Sequence, residues 1–95
     1  MTNEALLTLL KLDLQNPPDV LDSYLLTLIG AAKERIESYG ITLDTGAYSD
    51  IHLIIQYASY LYRLRNSSEG MPRSLQFALH SRLVNEKGGD GHDAG

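Results

Sequence analysis

The sequence predicts an all-α fold, a small bundle of about four helices: one short and N-terminal, two long and central, and one C-terminal behind a mobile hinge. Three observations predict it. Apolar residues recur at steps of three and four in four separate segments, the period of a helix with one buried face. Clusters of proline, glycine and small polar residues fall between those segments. No alternating apolar–polar run offers a pair of strands, and the β-branched stretch at Ile41 and Thr42 has no evident partner, so it reads as loop.

Ninety-five residues suffice for one core and not for two, because each half would bury too little surface to offset its chain entropy. The division expected is a helical domain over residues 1–87 and a disordered polar tail over 88–95, where "GGDGHDAG" has nothing to bury. A hydrophobic fraction of 43% and a charged fraction of 21% are those of a folding chain. A domain this small buries about 60 to 65% of its unfolded surface, so self-association would help it. Cysteine is absent, which excludes disulfides and thiolate metal sites and fits an intracellular setting. The leucine-rich start is interrupted by Lys11 and Asp13 and has no signal-peptide features, and no run reaches the 18 apolar residues of a bilayer span, so a soluble protein is expected. A net charge of −4 disfavours a general attraction to nucleic-acid phosphates.

Segment one, Asn3 to Leu12, sets Leu6, Leu7, Leu9 and Leu10 at helical spacing behind Thr2 or Asn3 as cap, with Glu4 in the first turn. Pro17 and Pro18 stop it and push the preceding residues toward extended geometry. Segment two runs from Asp19, the expected N-cap, to Tyr39, with Gly40 at the left-handed C′ position. Its stripe is Val20, Leu21, Tyr24, Leu25, Leu28, Ile29, Ala32, Ile36 and Tyr39; Lys33 and Glu37 form an i, i+4 pair on the solvated side. Segment three, Ile51 to Arg65, follows a cap at Ser49 or Asp50 and is apolar nearly all round. Its circumference is expected to exceed what one copy can cover, so that neighbouring subunits supply the missing wall. Segment four starts with Pro72 at its first position, carries Leu75, Ala78, Leu79 and Leu83 as a stripe with Phe77 and Val84 beside it, and ends at Gly88 and Gly89. Between segments three and four, "NSSEG" contains no apolar anchor and should be mobile.

The chain has no glycine-rich phosphate loop, no nucleophile elbow and no metal-binding histidine pair, so neither an enzyme nor a cofactor is expected. His52 stands near Asp44, Tyr48 and Asp50, but a histidine in a capped first turn explains that grouping without acid–base chemistry. His80 and Arg82 point to different faces of segment four. Asp90, His92 and Asp93 could meet a divalent ion, yet a glycine-rich tail does not preorganise ligands. "NSS" at Asn66 matches a glycosylation acceptor but no secretion signal accompanies it. One basic cluster remains: Arg63, Arg65, Arg73 and Arg82 bracket the hinge, with Tyr57, Tyr60 and Tyr62 interleaved and Phe77 beyond it. Stacking on single strands would use such residues, and a solvated face with core aromatics would also account for them. Arginine and aromatic anchors of a protein–protein contact are the reading preferred.

The order and punctuation of the segments resemble the small all-helical head–tail connector proteins, the adaptor or head-completion family, of tailed bacteriophages and prophages. The resemblance covers about residues 3 to 86. It lies in "LLTLLKLDL", in the long "DVLDSYLLTLIGAAKERIESYGI", in "IIQYASYLYRLRN" with its aromatic and basic end, and in "MPRSLQFALHSRL". The loop after Gly40 is longer than the family's and the polar tail is extra. The resemblance implies a non-enzymatic structural protein of the virion, present in the host cytoplasm during assembly. It implies a homo-oligomeric ring on the portal protein, an extended channel through which genomic DNA passes without sequence-specific binding, and a docking surface for a downstream connector (stopper) or tail-completion protein. It also gives the hinge a purpose, letting segment four rearrange on assembly. The competing readings are a helix-turn-helix module made of segments three and four, whose joint is too long for that motif, and a small hydrolase built on His52 and Asp50.

Overall fold

The computed structural model describes residues 1–68 and 70–94, with side chains as far as Glu86. Four α-helices follow one another, α1 (Asn3–Asp13), α2 (Asp22–Ser38), α3 (Tyr48–Leu64) and α4 (Arg73–Ala94), with one 3₁₀ turn, Asp19–Leu21, ahead of α2. No strand occurs among the described residues. The helix α3 lies at the centre and packs on the other three, as the all-α bundle expected from the sequence requires.

Each helix starts and stops for a local reason. The Thr2 hydroxyl accepts the Ala5 N–H at 3.1 Å and caps α1. At the other end the Gln15 N–H donates to the Leu12 carbonyl (3.2 Å) and the Asn16 N–H to that of Lys11 (2.7 Å), the paired closure of a Schellman motif. Gln15 and Asn16 are therefore left-handed, φ 64° and 56°, and not extended as the two prolines suggested. Satisfying two otherwise unpaired carbonyls outweighs the preference set by Pro17. Asp19 does not cap α2 either. Its carboxylate meets Lys11 Nζ at 2.5 Å, and Asp22 meets the same ammonium at 2.9 Å, so the proline turn is braced by an ion cluster. Val20 is left exposed on the 3₁₀ turn, outside the stripe assigned to it.

Leu25, Ile29, Ala32 and Ile36, at steps of four, three and four, are the buried edge of α2. Lys33 does not pair with Glu37 in the structure: its ammonium donates to the Asn3 side chain at 2.9 Å and ties α2 to the start of α1. Gly40 ends the helix at φ 99°, where an L side chain would be strained. In the loop that follows, Ile41 is buried and the Asp44 carboxylate accepts the Gly46 N–H at 2.9 Å. The helix α3 then begins at Tyr48, earlier than expected, with Ala47 at a cap position that offers no side-chain bond. Asp50 is inside the first turn and not at the cap, because its carboxylate has partners within the fold.

The central helix is covered by its own chain. Ile51, Leu53, Ile54, Ile55, Tyr57 and Ala58 are all buried within a single copy, Tyr57 to 3% exposure. Helices α1, α2 and α4 of the same chain close around α3, so its circumference does not demand a second subunit. The last helix lies on α3 through Leu75 and Leu79. The Pro72 carbonyl accepts from Leu75 and Gln76, which puts the proline just ahead of α4, and Met71 packs on the core beside it. The helix continues through Gly88 and Gly89 to Ala94 where an end was expected. Extending a formed helix fixes only one further residue per hydrogen bond, and a glycine there costs about 1 kcal/mol against alanine without any clash. Residues 88–94, expected to belong to a disordered tail, are thus helical, while Gly95 and the side chains of Asp90, His92 and Asp93 lie outside what is described.

Candidate protein-binding surfaces

The basic cluster of the sequence disperses in three dimensions. Arg82 faces inward. Its guanidinium donates to both oxygens of Asp50, which is 1% exposed, and to the Thr42 carbonyl at 2.8 Å; its Nε stands 3.5 Å from Glu86. Glu86 returns to the same loop by accepting the Thr42 N–H at 2.8 Å, and Asp50 also accepts the Asp44 N–H at 2.7 Å. The result is a polar clasp joining α4, the 40–47 loop and the first turn of α3. The arginine's hydrogen bonds hold the Asp50 carboxyl below the usual carboxylate range, against the desolvation that opposes ionisation. Arg82 is thus a strut within the domain and not the exposed anchor expected of it.

Tyr57 is a strut too. Its hydroxyl shares a 3.0 Å hydrogen bond with that of Tyr39, and Tyr60 meets its ring edge-on at 5.8 Å between centroids. Burial, with the Tyr39 bond second, pushes its phenol above the ordinary range. Arg65 lies over Tyr62, 4.4 Å to the ring centroid, with Tyr24 of α2 at 5.7 Å. Arg63 is exposed, 4.0 Å from Asp13, whose carboxylate also accepts the hydroxyl of buried Ser59. Of the eight residues singled out in the sequence, Arg63, Arg65, Arg73 and Phe77 are exposed, Tyr60, Tyr62 and Arg82 are half-buried, and Tyr57 is buried.

What the sequence did not isolate are two apolar surfaces outside the core. The first is the outward stripe of α4: Arg73, Phe77, His80 and Val84 follow one another at steps of four, three and four, and all four are exposed. Phe77 keeps 73% and Val84 51% of its surface in solvent. The second is a shallow groove of about 410 Å³ between α1 and α3, with Leu9, Leu12, Tyr48, Ile51 and Ile55 as its apolar lining and Asp13 and His52 at its edges. Leu12 is 62% and Tyr48 87% exposed there. Periodicity gave a partial signal for the stripe, since Phe77 and Val84 stand beside the buried row. It gave none for the groove, which two helices form together.

A polar cleft between α3 and α4 completes the surface. At about 590 Å³ it could admit a small molecule, but it centres on the Asp50–Arg82 pair, whose bonds are already made. His52 sits on its rim and is exposed, while the Asp50 carboxylate it would need is taken by Arg82, Asp44 and Ser49. No cluster of three metal-ligating side chains occurs among the described residues, and no described helix is long and apolar enough to cross a membrane. In comparisons with family models, with curated proteins and with solved structures, nothing matches the chain.

Proposed function

We propose that the protein is a structural head–tail connector of a tailed phage or prophage. It assembles as a ring on the portal vertex of the virion, extends the channel for genomic DNA, and offers a docking face to the next connector or tail-completion protein. The resemblance of segments 3 to 86 supports this, as does the four-helix order in which those segments fold. The reading does not rest on α3, which one copy covers. It is carried by one observation: Phe77 and Val84 on the α4 stripe, and Leu12 and Tyr48 at the α1–α3 groove, pair exposed apolar side chains at two unlike places, while Val20, Tyr24, Tyr39 and Leu64 are exposed elsewhere. A ring needs a head-to-tail contact between two different patches of the same molecule, whereas a twofold dimer needs only one.

A helix-turn-helix use of α3 and α4 is less well supported, since eight residues, 65–72, separate them and the outward face of α4 carries Phe77 and Val84 with a single arginine. Solution mass across a concentration series, combined with negative-stain imaging, tests the proposal. Closed rings of one size, formed alone or on a portal ring, are the expected result. A chain that stays monomeric at every concentration, alone and beside portal rings, overturns it.

A further inference from the structure

We infer that the outward stripe of α4 fills the α1–α3 groove of a second copy, running antiparallel to that copy's α3. This rests on the connector reading and specifies its subunit contact. Register is the first support. Along the stripe, Arg73, Phe77, His80 and Val84 fall at intervals of four, three and four. Read backward along α3, Ser59, Ile55, His52 and Tyr48 fall at the same intervals, and the last three of these line the groove. Ser59 is bonded to Asp13, which closes its end. Both rows span eleven residue steps of helix, about 16 Å at 1.5 Å per step.

Laid together, the rows pair sensibly at every level. Arg73 comes against Asp13, an exposed cation facing a half-exposed carboxylate. Phe77 enters the groove at Ile55, between α1 and α3, as an aromatic anchor in an apolar slot. His80 meets His52, and two neutral imidazoles can share a donor and an acceptor. Val84 covers the ring of Tyr48. Charge agrees with this choice of occupant: from Arg73 to Asn85 α4 carries no acidic residue, on a chain whose net charge is −4. The groove is also open to receive it, because the chain's own α4 lies on another flank of α3 and contributes nothing to the groove's lining. An amphipathic helix laid into a groove of this kind is a recurrent mode of recognition, and here it is heterologous, so it propagates from copy to copy.

Complementary knock-outs test the pairing. Phe77→Asp spoils only the stripe and Tyr48→Asp only the groove; both side chains are mostly in solvent, so helicity by circular dichroism should equal that of the parent. Each variant alone is expected to be monomeric where the parent forms rings, and an equimolar mixture should give a capped one-to-one heterodimer through the two intact faces. A second measurement exploits the absence of cysteine: chains bearing Val84→Cys and Tyr48→Cys should cross-link to each other on oxidation several-fold faster than either does to itself. If the parent forms rings and both Asp variants still do, the pairing is wrong while the connector reading stands. If the variants keep their rings but lose capture by portal rings, stripe and groove serve another protein and the pairing is again wrong. One variant monomeric, with no heterodimer on mixing, means a like-with-like contact and also overturns it. A parent that never oligomerises ends the connector reading itself.

Discussion

Arg82 and Asp50 stand 32 positions apart in the chain and meet through two guanidinium–carboxylate bonds on a carboxylate almost fully withdrawn from water. Removing one partner of such a pair leaves the other buried and unmatched, which costs more than the pair contributes. Arg82→Ala should therefore destabilise the domain by about 2–4 kcal/mol, somewhat less than for a fully buried pair because Arg82 is a quarter exposed. Arg63→Ala, at the exposed and longer contact with Asp13, should cost about 0–1 kcal/mol. Urea titrations of the two variants check the contrast. The same pair fixes an acid dependence. Asp50 titrates lower in the folded protein than in the unfolded chain because Arg82 donates to it. The stability this adds is complete above the unfolded carboxylate value of about 4 and disappears as pH falls through the depressed native value. Asp50→Asn should lower stability at neutral pH and flatten its decline below about pH 4, read from melting temperatures across that range. The clasp was not legible beforehand: Asp50 beside Ser49 at a helix start has every local mark of a cap, and only the fold brings Arg82 to it.

At the scale of elements, the helix ends carry the information. Gly40 announces itself as the left-handed terminator of α2 and adopts φ 99°. The end of α1 is less obvious, because the residue at the corresponding C′ position is Gln15, held at φ 64°. A left-handed L residue costs about 1–2 kcal/mol, which glycine avoids, while glycine adds about half of that back as unfolded-state entropy. Gln15→Gly should thus raise stability by roughly 0.5–1 kcal/mol, seen as a higher urea midpoint with an unchanged slope. No loss of packing offsets it, since Gln15 is exposed. The prolines had pointed to an extended approach. They describe what Asn16 would prefer in isolation, whereas the carbonyls of Lys11 and Leu12 decide what it does.

Across the whole molecule, the 51 × 30 × 18 Å envelope is a slab with α4, 22 residues and about 33 Å long, along one flank. A slab with apolar patches on two elements can tile a ring. Arg73 is exposed at the leading end of the α4 stripe, so Arg73→Ala should weaken assembly several-fold while shifting folding stability by no more than about 0.5 kcal/mol. Sedimentation for the first and thermal melting for the second separate the two effects; equal losses in both would contradict the assignment. Arg82→Ala should behave in the opposite way, losing stability first. The four arginines that look alike along the chain thereby divide into one structural strut, one cation over two aromatic rings, and two exposed charges.

By itself the sequence determined the class of fold, the four helices to within a few residues except for the far end of α4, and the core positions Leu25, Ile29, Ala32, Ile36, Ile54, Leu75 and Leu79. These follow from periodicity and from end signals that act within one or two turns, and both are local. Only the tertiary structure decided that α3 is sealed by its own chain, that Arg82 belongs to Asp50, that Tyr57 hides behind Tyr39, and that a groove opens between α1 and α3. Each of these depends on which helix lies against which, and burial at a given position is a property of the neighbours that packing brings to it, which no single segment specifies.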